Sequence, residues 1–282
     1  MDFNNEADNF NAEAITRLDV KKVKFFVHEL FEKMLHATGT QVDSHMMRLV
    51  LDHMSRVARI AEHIAEQAGL DVDLVKFEAL CHDCQKIHPQ KPGGINDLIS
   101  HAAVASGPLA IFMCKELHKK TSLVEKVCMD CFEHINTPAI IGLVVSKDKH
   151  PTSLYGYILR CANMLDYVGA SGLVYSVEQR QRKHSLAYKE DGGDFNQSFI
   201  ASCKKRDQFL GDLFYKYPLY KTLWKGFDDQ LYNAVEAIRH LANINEQKSE
   251  KLKQEFKLAQ PASMVEFRKM FKVLSERELQ QA

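Results

Sequence analysis

The sequence has no run of twenty apolar residues, which excludes a membrane-spanning helix of ordinary length. It has no net charge either, because 37 lysines and arginines are balanced by 37 acids. A long polyanion such as duplex DNA is therefore not an expected partner, whereas small anionic metabolites stay open. The opening residues Met1-Asp2-Phe3-Asn4-Asn5-Glu6 show neither a basic n-region nor an apolar h-region, so the expected location is the cytoplasm. Cysteine is present, but seven is an odd count without a secretory signal and does not make a disulfide framework. Sustained period-two alternation is missing, so no segment reads as a half-buried strand. What remains is 282 residues at 45% hydrophobic content, enough for a sizeable core in one large or two small domains. The periodic segments have a helical period, and the expected fold class is all-α.

Between Ser44 and Ala68 the residues Val50, Met54, Val57, Ala61, Ile64 and Ala68 recur at three- and four-residue steps and predict one buried stripe, with His53 beside it. Gly69 reads as a C-cap and Asp71 as the start of the next helix, which carries Phe77, Leu80, Cys81 and Cys84 inward until His88-Pro89 stops it. Leu123, Val124, Val127 and Cys131 predict a helix from Ser122 to Ile135, with His134 in its last turn. His101 opens a helical stretch interrupted or restarted at Gly107-Pro108. A further helix, Thr152 to Val168, has its stripe at Leu154, Ile158, Cys161, Leu165 and Val168, and places Asn163 and Asp166 three apart on another face.

His82 and Asp83 stand side by side in Ala79-Leu80-Cys81-His82-Asp83-Cys84-Gln85-Lys86. On a helix they are about 100° apart, so both lean toward one point from its flank. His53, His101 and His134 stand where other helices bring them to the same place, followed by Asn163 and Asp166. Neutral imidazole and carboxylate hold transition ions, and this many imidazoles suit two such ions better than magnesium or calcium alone. The expected cofactors are two divalent transition-metal ions, iron or manganese first, with zinc, nickel, cobalt or magnesium as alternatives. A lone histidine on an apolar face is usually a satisfied core residue, and His28, His36, His63, His88, His118, His150, His184 and His240 are read as structural or surface.

The order H…HD…H…H…(N/D), with Lys86 three residues beyond Asp83, resembles the HD-domain metal-dependent phosphohydrolase superfamily over about His45 to Gly172. The two histidines between the HD pair and the last acid resemble its dinuclear branch, which includes the bacterial diadenosine tetraphosphate hydrolases and the cyclic-dinucleotide phosphodiesterases. That resemblance implies that His53, His82 and Asp83 bind a first ion, that Asp83 bridges, and that His101 and His134 hold a second. The glycine-tyrosine-proline signature of the cyclic-dinucleotide group is missing after His134, where the chain reads Ile135-Asn136-Thr137-Pro138. Diadenosine polyphosphates therefore come first as substrates, with cyclic dinucleotides and nucleoside phosphates behind. The family closes its site with an aspartate after a small residue, and here that position reads Ala162-Asn163. Asp166, one turn later, is the expected replacement, while the alignment itself points to Asn163. Two ions would share a hydroxide, lower its pKa and aim it at phosphorus. Lys86 would contact a phosphate oxygen or donate a proton, and Arg56 and Arg160 are further candidates for phosphate contact.

Other readings compete. Cys81/Cys84 and Cys128/Cys131 are both C-x-x-C pairs, a zinc-site spacing, but both lie in apolar helical runs where cysteine behaves as a small core residue. A non-catalytic HD module is favoured by Asn163. In domain terms, residues 1–40 read as a helical cap built on Val23, Phe26, Val27, Leu30, Phe31 and Met34, and 41–172 as the HD-type core. Residues 173–195, with Glu178 to His184 and Asp191-Gly192-Gly193-Asp194, read as a basic loop or lid. Residues 196–282 are helical again and aromatic enough to pack on the core, a second copy of the chain or another protein.

Overall fold

The computed structural model describes residues 12–37, 44–84, 107–134, 153–187, 195–216 and 228–281. The described residues are helical, joined by short turns and caps, with no strand among them, so the chain is all-α. The helices are α1 (Arg17–Ala37), α2 (Ser44–Ala68), α3 (Val72–Cys81), α4 (residues 107–115), α5 (Thr121–Glu133), α6 (Leu154–Val168), α7 (Ala170–Ala187), α8 (Phe195–Gly211), α9 (Asp228–Ala259) and α10 (Met264–Gln281), with a π-helical turn at Asp212–Lys216 after α8. No helix among the described residues is long and apolar enough to cross a membrane.

The centre of the molecule is α6. Apart from Tyr155 and Asn163 its residues are buried, as a helix that is apolar almost all round must be. It touches α2, α3, α5, α7, α8 and α9. Ser153 caps its start by accepting from the Gly156 N–H at 2.9 Å, and Asn245 of α9 donates to the Leu165 carbonyl at 2.9 Å near its end. Against it, α2 lays down the stripe from Val50 to Ala68, with every stripe residue buried. The cap helix α1 rests on α3, and its Phe26 stacks on Phe112 of α4 at 4.2 Å. Lys119 locks that contact through Asp19 at 2.7 Å.

Two expectations change. α3 ends at Cys81, and His82, Asp83 and Cys84 form a turn closed by Cys84 N–H to Cys81 O at 3.1 Å. His88 and Pro89, expected to stop that helix, lie outside the described residues. The stretch 173–187, expected as part of a loop or lid, is instead helix α7. Its basic run masks an apolar side, on which Leu173, Val174 and Val177 are buried. The charged run from Glu246 to Lys253 continues α9, with charges paired along the helix and across to α8, as in Glu250 with Lys253 at 2.7 Å.

Candidate metal centre

Four helices supply the centre. His53 comes from the buried side of α2, His82 and Asp83 from the turn that ends α3, His134 from the C-cap of α5, and Asp166 from α6. All five are buried. The ligand atoms of His53, His82 and Asp83 lie within 4.8 Å of one another, the one such group of histidine, cysteine or acid side chains among the described residues.

The histidines share an orientation. His82 Nδ1 is 2.8 Å from the Ala79 carbonyl, and His134 Nδ1 bonds the Cys131 carbonyl. A carbonyl only accepts, so both Nδ1 atoms donate, and in the neutral ring each Nε2 carries the lone pair. His53 Nδ1 faces Asp166 Oδ2 at 2.7 Å. The three Nε2 atoms converge on Asp83, with His53 at 3.3 Å and His82 at 3.4 Å from Oδ2, and His134 at 3.6 Å from Oδ1. His53 Nε2 is buried with no hydrogen-bond partner among the described residues, an arrangement that costs free energy unless something else meets the lone pair. Burial pushes the His134 imidazole down to about 4 against the pull of Asp83, which keeps it neutral and able to ligate near pH 7. This donor set fits a divalent transition ion.

Asp166 is not in the converging group. Both of its oxygens are engaged on the far side of His53, Oδ1 by Arg56 Nε at 2.6 Å and Oδ2 by Arg56 Nη2 at 3.0 Å as well as by His53. Burial works to raise its pKa, but His53 and Arg56 outweigh that and hold the carboxyl below its ordinary value. Asp166, expected as a ligand, instead accepts from His53 and Arg56 and lies outside the group formed by His53, His82 and Asp83. Arg56, expected to contact phosphate, is paired with this carboxylate through Nε and Nη2. Arg160, the other candidate for phosphate contact, is buried on α6 at 3% exposure. Asn163 Oδ1 is buried and accepts no hydrogen bond among the described residues. His101 and Lys86 lie outside the described residues.

Two residues escaped the sequence reading. Tyr175 of α7 stacks on the His53 ring at 4.8 Å and 15°, and Tyr167 of α6 leans on it at 5.3 Å. Tyr175 belongs to the segment that reads as a loop, and only the apolar period of α7 points to it. The C-x-x-C pairs bring Cys81 and Cys131 to 3.6 Å, as buried thiols bonded to backbone carbonyls, and burial helps push the pKa of both up, which disfavours the thiolate a metal needs.

Residues 50–155 match the family model of the HD domain. No curated protein and no solved structure matches the chain. The matched segment holds His53, His82, Asp83 and His134, whereas Asn163, Asp166, Tyr167 and Tyr175 lie beyond it.

Proposed function

We propose that the chain is a metal-dependent phosphohydrolase that cleaves a phosphoanhydride or phosphodiester bond in a small nucleotide or dinucleotide. The convergence of three Nε2 atoms on the two oxygens of Asp83 carries this reading, and the HD match supports it, since HD domains are in general metal-dependent hydrolases. His53 and His82 sit at one oxygen of Asp83 and His134 at the other, so Asp83 and these histidines, with His101, would hold two divalent ions. Bound there, divalent ions supply a water of lowered pKa and neutralise phosphate charge. Asn163, whose Oδ1 accepts no hydrogen bond among the described residues, closes the first set in place of the usual carboxylate. The three Nδ1 contacts keep each lone pair aimed inward, and Tyr167 and Tyr175 wall off His53 from water. Lys86 contacts a phosphate oxygen or donates a proton to the leaving group. Diadenosine polyphosphates stand first as substrates, and iron or manganese first as ions.

The test is elemental analysis after growth with added iron and manganese, followed by a nucleotide panel. Close to two ions per chain are expected, with Asp83→Ala losing both and Asn163→Asp binding the first more tightly. Trace metal alone sinks the proposal. Full metal with no turnover of any nucleotide favours the second reading, a non-catalytic HD module. Asn163 in a carboxylate position and the exposed Leu258, Val265 and Val273 of the C-terminal helices favour that alternative.

A further inference from the structure

Two of the three inward-facing histidines are aimed by backbone carbonyls, which no side-chain substitution removes. His53 is different. Its Nδ1 meets a carboxylate 113 positions away in sequence, and that carboxylate is itself clamped by Arg56, one turn beyond His53 on the same helix. The guanidinium is a rigid planar fork, and its two contacts at 2.6 and 3.0 Å fix the plane of the Asp166 carboxylate. With both Asp166 oxygens accepting, the shared hydrogen at 2.7 Å belongs to His53 Nδ1, so the nitrogen of the neutral ring that can bind an ion is Nε2, 3.3 Å from Asp83. Tyr175, stacked on the face of the ring, resists its tilting, and the Arg56 guanidinium lies 6.0 Å from the same tyrosine ring.

We infer that Asp166 and Arg56 are a positioning pair for metal binding: they hold His53 as the Nδ1–H tautomer, with Nε2 presented to the ion, and neither touches ion or substrate. This rests on the metal reading proposed above. The pair is charge-balanced, so it orients His53 without adding net negative charge beside ligands that already include Asp83. Orientation of ligand imidazoles by a carboxylate is a general device in metal sites, and its loss costs about 10–100-fold in affinity.

The experiment titrates chelator-stripped full chain with cobalt(II), following heat and visible absorption. For Asp166→Asn and Arg56→Lys, the ions bound at saturation and the absorption bands should match wild type, while affinity falls about 10–100-fold. His53→Ala should lose an ion or change the bands. If Asp166→Asn behaves like His53→Ala, Asp166 is a ligand and the inference is overturned; unchanged affinity in both variants overturns it as well. A readout that needs no variant is nitrogen-15 NMR of the zinc-loaded wild type, where His53 should carry its proton on Nδ1. Zinc on Nδ1 overturns the inference even if the variants fail to fold. Wild type that takes up no ion refutes the metal reading itself, an outcome distinct from metal-loaded wild type with indifferent variants.

Discussion

Glu78, one turn before His82, is a fully buried carboxyl beside Asp130, with Lys126 3.7 Å away. Burial and then the charge of Asp130 push its pKa well above the ordinary 4.5, and Lys126 only partly opposes them. The folded chain therefore keeps a proton that the unfolded chain releases once pH passes about 4.5. Stability from this group is fully present below that value and declines as pH rises toward the folded pKa. Glu78→Gln keeps the shape and removes the titration, so its melting temperature should gain on wild type more at pH 8 than at pH 5. Thermal melts of both proteins at the two pH values check this, and an equal difference at both would show that Glu78 titrates normally. Legibility also divides at this scale. His53, His82, Asp83 and His134 could be read from the sequence because each sits at a fixed step from an apolar stripe or a helix end. The engagement of Asp166 could not, because its partner Arg56 is 110 positions away and the one-turn spacing puts Asn163 and Asp166 on a similar face. Only the contact with Arg56 separates an acid behind a ligand from a ligand.

Among elements, the junction of α6 and α7 sets the walls of the centre, since α6 carries Asp166 and Tyr167, and α7 carries Tyr175. The two helices approach so closely at Gly172 that a Cβ there would sit 1.8 Å from the Asp166 carbonyl oxygen and 2.8 Å from Tyr167 Cα. Those atoms are backbone and cannot swing aside. Gly172→Ala should therefore force the helices apart and cost about 1–3 kcal/mol or more, in the manner of an overpacked core. Gly211→Ala, where a Cβ meets nothing within 4 Å, is the matched control and should stay close to wild type. Denaturant unfolding of both variants measures the difference, and equal stability would mean that α7 is free to shift. The sequence placed α2 at Ser44 to Ala68 because stripe and cap agree there. It overran α3 because Cys84 continues the apolar spacing past the point where the backbone tightens into a turn. It missed α7 because a run of charges outweighed three buried aliphatic residues.

On the scale of the whole molecule, the described apolar core falls into two clusters. The larger surrounds α6, and the smaller gathers Leu173, Val174 and Val177 of α7 with Phe195, Phe199, Leu252, Phe256, Phe267 and Leu274. The sequence predicts a boundary between an HD core ending at residue 172 and a C-terminal helical region from residue 196, with a loop or lid between them. Two helices bear on both sides of that boundary. α7 gives Tyr175 to the His53 ring and its aliphatic residues to the smaller cluster, while α9 gives Leu231, Ala234, Ile238 and Ala242 to the larger and Leu252 and Phe256 to the smaller. Arg206 of α8 is buried and bonds Ser249 and Glu250 of α9 at 2.8 and 2.6 Å, adding a polar tie. A cluster that shares two helices with the core cannot melt without disturbing it, so one cooperative transition is expected rather than two. Phe267 probes this, because it is fully buried against Phe195, Phe199 and Phe256, each with ring centroids 5.6 Å away. Phe267→Ala should cost about 3–5 kcal/mol. If the coupling holds, far-UV circular dichroism and calorimetry of the variant should still report one coincident transition, moved as a whole to lower temperature. A new early step that leaves the main transition in place would instead make the C-terminal helices a separately melting unit, and the predicted boundary would then be a real one.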